Sequence, residues 1–281
     1  MTSTPIRRYA CVLSIAGSDS GGGAGIQADL KTFAALGCYG MTAITAITAQ
    51  NTLGVRAIHA VPPEMLAAQI TAVLADIGVQ AVKIGMLHSP AAVRAVADAL
   101  RPVAKLVPIV LDPVMVASSG HSLMAVDTVE VMVRELFPLV SLITPNLDEA
   151  AMLLNRPVLH PEAFEAAAAD LLRMGAPAVL LKGGHLPGDT LLDLLASADG
   201  AYQAWHTHRI ASRNVHGTGC TLSSAVAAHL ALGERLPEAV RLGREFVRLA
   251  ITAGADVQTG QGHGPLNHGF APVPMRLLPC F

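Results

Sequence analysis

The chain has 281 residues, 52% of them hydrophobic and 14% charged, with a formal net charge of −2. That composition buries a large core and excludes a disordered chain. No basic stripe or cationic tail marks it for nucleic acid, and no apolar run reaches the roughly 18 residues that a membrane span needs.

The N-terminal stretch MTSTPIRRYACVLSIAGSDS carries only a short apolar run, which reads better as a first strand than as a signal peptide. Residues 11–16 (CVLSIA) form that strand, ending at Gly17. Residues 25–36 have helical spacing and stop at Gly37; residues 40–49 are rich in Thr and Ile, a strand signal. Pro62-Pro63 opens a helix from about Glu64 to Asp76, and VQAVKIGM (79–86) is a strand. SPAAVRAVADAL (89–100) is a helix with Ser89 as N-cap and Pro90 in its first turn. Strands at 107–114 and 140–146 alternate with helices at 128–137 and from Leu147, and another helix spans about 161–174. PAVLLKGGH (177–185) is a strand and turn, 190–210 a β-excursion about Asp199-Gly200, and helices near 219–232 and 237–254 follow.

Strands alternating with helices predict an α/β fold: a mostly parallel central sheet with helices on both faces, in a single domain over 1–281. Ligands of such sheets bind beyond the carboxyl ends of the strands. The chemically interesting residues follow strands: Gly17-Ser18-Asp19, Gln50-Asn51, Gly85-Met86, Asp112-Pro113, Thr144-Pro145-Asn146 and Lys182-Gly183-Gly184-His185.

GSDSGGGAGIQADL (17–30) is not a good dinucleotide fingerprint. Only the looser G-x-G-x-x-A form fits, from Gly23, and no Asp or Glu falls between Lys31 and Pro63 to meet a ribose. No Gly-Lys pair makes it a phosphate loop. It reads as a loop that admits a ligand close to backbone, or as an ordinary strand-to-helix turn.

HGTGCT (216–221) leads into a helix of small residues. The amides of Gly217, Thr218, Gly219 and Cys220 at that N-terminus can gather an anion, and they can stabilise charge on a transferring phosphoryl group. A first-turn position is expected to lower the Cys220 thiol pKa. A free cysteine is as readily a small buried apolar residue. Asn146, Asp148 and Glu149 can orient a hydrated Mg²⁺ or simply cap a helix. Lys182 can neutralise phosphate charge. Asp112 is a second magnesium-side or phosphate-side acid, or a structural cap. His185, His216 and His263 lie in glycine-rich turns without a metal-binding spacing, and the four cysteines, Cys11, Cys38, Cys220 and Cys280, form no Cys-x-x-Cys pair. A reducing cytoplasm is the expected compartment.

With these residues assembled, the chain resembles the ribokinase-like superfamily, and within it the hydroxymethylpyrimidine/phosphomethylpyrimidine kinases of thiamine biosynthesis. SIAGSDSGGGAGIQADLKTFAALGCYGMTAITAITAQNT, VKIGML, VLDPVM, LITPNLDEA, LLKGGH and HGTGCTLSSA carry the likeness over about residues 10 to 270. The resemblance implies ATP- and Mg²⁺-dependent phosphorylation of 4-amino-5-hydroxymethyl-2-methylpyrimidine and then of its monophosphate. It implies pyrimidine contacts from Gly17, Asp29 and Gln50, with Met86 nearby. It assigns Asn146, Lys182 and Thr218 to the nucleotide, Glu149 and Asp112 to the metal, and Gly217, Gly219, Cys220 and Lys182 to catalysis. A homodimer is implied as well.

Two departures stand out. Residues 20 and 21 are Ser-Gly in a loop that the family usually writes GSDPSGGAG, and Ser118 stands where the family often has lysine. If that lysine holds substrate phosphate, the second phosphorylation is expected to be weak. The alternatives are a pyridoxal kinase, whose aldehyde Cys220 can attack, and a non-catalytic nucleotide- or pyrimidine-binding protein on the same fold.

Overall fold

The structure, a computed structural model, describes residues 7–115, 126–158, 160–184, 186 and 188–279. Strand β1 (Arg7–Tyr9) pairs antiparallel with β11 (Leu277–Pro279) in a two-stranded ribbon. The main sheet holds β2 (Cys11–Asp19), β3 (Tyr39–Asn51), β4 (Gly54–Ala60), β5 (Ala81–Ile84), β6 (Ile109–Leu111), β7 (Leu142–Ile143), β8 (Ala178–Lys182), β9 (Thr190–Ser197) and β10 (Tyr202–His208). Their order across it is β10-β9-β8-β7-β6-β5-β2-β3-β4. From β3 through β8 the neighbours run parallel; β4 at one edge and β9 with β10 at the other are antiparallel additions.

The helices are α1 (Gly25–Ala35), α2 (Pro63–Asp76), α3 (Pro90–Leu100), α4 (Val126–Leu136), α5 (Leu147–Leu154), α6 (Phe164–Arg173), α7 (Thr218–Ala231) and α8 (Leu236–Ala253). Strand alternation sorts them into two layers. Leu13 and Ile15 of β2, Val82 and Ile84 of β5, and Ile109 and Leu111 of β6 pack with α2 through α6. Val12, Ala81 and Val110, one residue out of phase, pack with α1, α7 and α8. The expected arrangement of helices on both faces is therefore present.

Local signals placed most elements. Ser89 Oγ accepts the Ala92 amide at 3.2 Å and Pro90 begins α3, as its sequence predicts. Strands β6 and β7 are shorter than their apolar runs, though the Asp112 and Thr144 amides just beyond them still donate to the Ile84 and Leu111 carbonyls. The strand β4 has no forecast: each of its residues is exposed or half-exposed, so no alternation marks it. The small residues of α7 have a packing reason. This helix lies against α1, α8 and strands β2, β5 and β6. A Cβ on Gly243 of α8 would come within 3.2 Å of the Val226 amide nitrogen, so larger side chains would hold the two helices apart. Ser118, His185 and Cys280 lie outside the described residues.

Candidate active site

The glycine-rich stretch opens the site at the carboxyl end of β2. Asp19 is 3% exposed in its side chain and organises the turn. Its Oδ1 accepts the Gly21 amide at 2.8 Å, and its Oδ2 accepts the amides of Gly23 and Ala24 at 3.0 and 2.9 Å. Burial opposes ionisation, but the His216 ring and these amides outweigh it and hold the Asp19 carboxyl below its ordinary range. Beside the turn, Met86 lies across Gly17, where a Cβ would stand 2.5 Å from the methionine methyl carbon. Gln50 is half-buried at the end of β3, its amide nitrogen 3.3 Å from His216 Nε2. Gly17 and Met86 thus pack together, and Gln50 lies beside His216.

The second loop meets the first from the opposite side. Gly217, the N-cap of α7, has φ +85°, and a Cβ there would lie 1.8 Å from the Gly23 carbonyl oxygen. Only glycine admits both the backbone conformation and that approach. The Thr221 hydroxyl donates to the Gly217 carbonyl at 2.8 Å and fixes the turn. The Thr218 amide and hydroxyl both donate to the Val215 carbonyl, at 3.3 and 2.6 Å. Gly219 faces Asp112 and Lys182, with its Cβ position 3.4 Å from Asp112 Oδ2 and from Lys182 Nζ.

The expectation for Cys220 is corrected in sign. Burial pushes its thiol up to about 11; Lys83 and the Gly25 amide lower it, while Asp29 and Asp112 raise it further. The dipole of a helix end acts over one turn and is smaller than the desolvation it opposes here. At neutral pH Cys220 is a protonated thiol.

On the other flank, Lys182 ends β8 and lies beside β7 through the bridge between Asn146 and Lys182. Its Nζ donates to Asp112 Oδ1 at 2.9 Å, stands 3.9 Å from Glu149 Oε2, and its side chain is 12% exposed. Thr144 Oγ1 donates to the same Asp112 oxygen at 2.9 Å. Burial raises Asp112, but Lys182 and Lys83 together hold it below its ordinary range. Asn146 and Glu149 form a capping box: Asn146 Oδ1 accepts the Glu149 amide at 2.9 Å, and Glu149 Oε2 accepts the Asn146 amide at 2.7 Å. Burial pushes the Glu149 carboxyl up to about 7; Lys182 opposes the shift and Asp112 adds to it. The helix-cap reading of these residues is real, and the cap delivers both side chains to the rim beside Lys182.

Asp29 is not at the open surface. It is fully buried; its Oδ2 accepts from Ser14 Oγ at 2.5 Å and Lys83 Nζ at 2.9 Å, and its Oδ1 from Ser224 Oγ at 2.7 Å. Ser14 and Lys83 point to the α1/α7 side by strand phase, and Asp29 and Ser224 come from those helices. Both oxygens of Asp29 are thus engaged within the protein, beneath the two loops. Sequence reasoning singles out Asp19 by its place after β2 and His216 by its glycine-rich turn but gives neither a role, and it passes over Lys83. A lysine inside the apolar run VQAVKIGM is itself a signal of a buried partner, and an aspartate ahead of three glycines is a turn organiser.

The model of the phosphomethylpyrimidine kinase family matches residues 19–267. A hydroxymethylpyrimidine/phosphomethylpyrimidine kinase of Rhizobium meliloti is 51% identical over 92% of this chain and 97% of its own. The crystal structure of a Clostridium difficile phosphomethylpyrimidine kinase superposes with a TM-score of 0.76 at 41% identity, covering 86% of this chain and 99% of that one. An ADP complex of Bacillus subtilis pyridoxal kinase superposes with a TM-score of 0.85 at 34% identity, over 93% of this chain and 98% of that one. Family match, identity and shared fold agree, and the chain belongs to the phosphomethylpyrimidine kinase family.

Proposed function

We propose that this chain transfers the terminal phosphoryl group of ATP to the hydroxymethyl oxygen of 4-amino-5-hydroxymethyl-2-methylpyrimidine. It then phosphorylates the monophosphate to the diphosphate, in thiamine biosynthesis. The observation that carries the reading is the junction of the two glycine loops. Gly23 packs on Gly217 and the Gly25 amide points at the Cys220 thiol, so a ring bordered by Gly17, Met86 and Gln50 has its hydroxymethyl group at the first turn of α7. Gln50 offers a donor and an acceptor to an aminopyrimidine edge. Gly219, Cys220 and Lys182 surround the place where phosphoryl charge develops, and positioning plus electrostatic stabilisation supply most of the rate in such transfers. The alcohol oxygen bonds to the γ-phosphorus as the bridging oxygen leaves with ADP. A thiol held near 11 is already protonated, so Cys220 orients the hydroxymethyl group and the proton leaves through phosphate oxygen or water.

Mg²⁺ takes one or two protein carboxylates and completes its shell with water and nucleotide phosphates. Asp112 and Glu149 fit that demand as two carboxylates flanking Lys182. Among the described residues no group of three or more His, Cys, Asp or Glu gathers to form an all-protein cage. Bound there, Mg²⁺ would neutralise phosphate charge; Asp112 and Glu149 would hold it, with Asn146 and Lys182 keeping them in place. The same reading takes the chain as one cytoplasmic domain, with no described helix long and apolar enough to cross a membrane. It also takes it as a homodimer, which the exposed Ile47, Leu53 and Ile58 around edge strand β4 support.

The closer superposition on pyridoxal kinase favours a second reading, phosphorylation of pyridoxal. Phosphoryl transfer from MgATP to the pyrimidine alcohol, its monophosphate and pyridoxal, run in parallel, separates the two. Turnover of the alcohol at least tenfold above pyridoxal is expected. Preference for pyridoxal would overturn the assignment, and nucleotide binding without turnover would indicate a non-catalytic protein. Ser118→Lys is expected to raise kcat/KM for the monophosphate relative to the alcohol by about tenfold, the scale of one charge-assisted hydrogen bond. An unchanged ratio would show that residue 118 does not limit the second step.

A further inference from the structure

His216 Nε2 stands 2.9 Å from Asp19 Oδ2 and 3.3 Å from the side-chain amide of Gln50. Its side chain is 11% exposed. Its backbone is fixed independently: the amide donates to the Gly264 carbonyl at 3.1 Å, and residue 216 forms a bridge with Pro265. A Cβ on Gly23 would meet the imidazole Cδ2 at 2.5 Å, so the ring also lies flush on the glycine turn. The next residue in sequence is Gly217, the cap of α7.

Asp19 has two oxygens and receives three loop amides. A carboxylate so solvated by donors is an acceptor only, so the nitrogen facing it must carry the proton. Nε2–H therefore points at Asp19 and has no lone pair left for the Gln50 amide. Gln50 lies beside the ring, with its Oε1 accepting from Thr48 Oγ1 at 3.3 Å. One imidazole thus touches the turn that shapes the pyrimidine side and the residue that reads the pyrimidine. It also neighbours, in sequence, the turn that holds phosphate.

We infer that His216 is a positioning residue that locks the glycine-rich pyrimidine loop to the α7 turn through Asp19, so that filling one half of the site orders the other. The inference rests on the proposed pyrimidine kinase reading. The coupling is reciprocal: pyrimidine should tighten nucleotide binding by the factor by which nucleotide tightens pyrimidine binding.

The test compares wild type, His216→Ala and His216→Gln. Glutamine places an amide N–H near the Nε2 position and can restore the bond to Asp19. The affinity for ADP is measured by calorimetry with and without the pyrimidine alcohol, alongside kcat and both KM values. In the wild type the pyrimidine is expected to tighten ADP binding by about tenfold, a typical coupling. In His216→Ala that factor falls toward one and kcat drops by about tenfold, while His216→Gln recovers most of both. Amide exchange supplies a reading that does not depend on the substrate. His216→Ala should speed exchange at Gly21, Gly23 and Ala24 and across residues 217–220, with less change in β5 and β6. Unchanged exchange in the two loops would overturn the inference, as would retained coupling in His216→Ala or a glutamine variant no better than alanine. If wild type turns over neither pyrimidine, the functional reading fails by itself, and the exchange result still decides whether His216 joins the loops.

Discussion

Two lysine–aspartate pairs, one from β5 to α1 and one from β8 to the end of β6, each close at 2.9 Å. Lys83–Asp29 is sealed, with both side chains at 0% exposure; Lys182–Asp112 is at the rim, at 12% and 2%. The sealed pair has its remaining capacity filled by Ser14 and Ser224. The rim pair shares its lysine with Glu149 and faces the first turn of α7. Identical chemistry thus becomes scaffold in one place and candidate phosphate chemistry in the other, and what divides them is access.

The largest expected effect breaks the sealed pair. Lys83→Met leaves Asp29 buried without its counter-charge and should cost about 3–5 kcal/mol of stability. Adding Asp29→Asn should restore much of it. Denaturant unfolding of the two variants checks this, and a single variant as stable as wild type would show the pair to be dispensable. Lys182→Met should lower kcat/KM by about 10²–10³, the scale of one lost transition-state donor, and should cost less stability than Lys83→Met, because Lys83 still faces Asp112 and the Lys182 side chain is partly open. If stability falls and turnover survives, the rim pair is scaffold too.

Cys220→Ala sharpens the contrast at the point between the pairs. A general base would contribute about 10²–10⁴; a protonated positioning thiol should cost only about tenfold in kcat. A pH–rate profile unchanged in shape would accompany that small loss. Glu149 supplies a test by pH. Its carboxyl is raised from 4.5 to about 7 in the fold, so the folded state holds the extra proton between those values. Stability should therefore decline as pH rises from about 4.5 to about 7. Glu149→Gln, which preserves the cap, should flatten that slope.

Much of this was legible in the residues. Alternating apolar runs give the parallel core, Ser89 and Pro90 give the start of α3, and the glycines mark both loops. Gly17 meets Met86, and Lys182 meets Asp112, because residues at the ends of parallel strands share one end of a sheet. Direction of approach was not legible. Asp29 and Lys83 are 54 positions apart, and nothing local tells an aspartate in α1 that a lysine will rise beneath it. The sign of the Cys220 shift was hidden for the same reason: the helix end is visible in sequence, while the burial that outweighs it comes from α1 and β5. The edge strand β4 escaped because exposed strands lack the alternation that reveals strands.

The sealed pair also bears on how the sheet assembles. Strand β5 is only four residues long, and its aliphatic residues would tolerate a shift along its neighbours. Lys83 would not. A one-residue slip would turn its ammonium from the α1/α7 layer into the apolar layer formed with α2 through α6. An unpaired charge there is far more costly than any loss of packing. The lysine therefore acts during folding as a key to strand register, penalising the wrong alignment more heavily than it stabilises the right one.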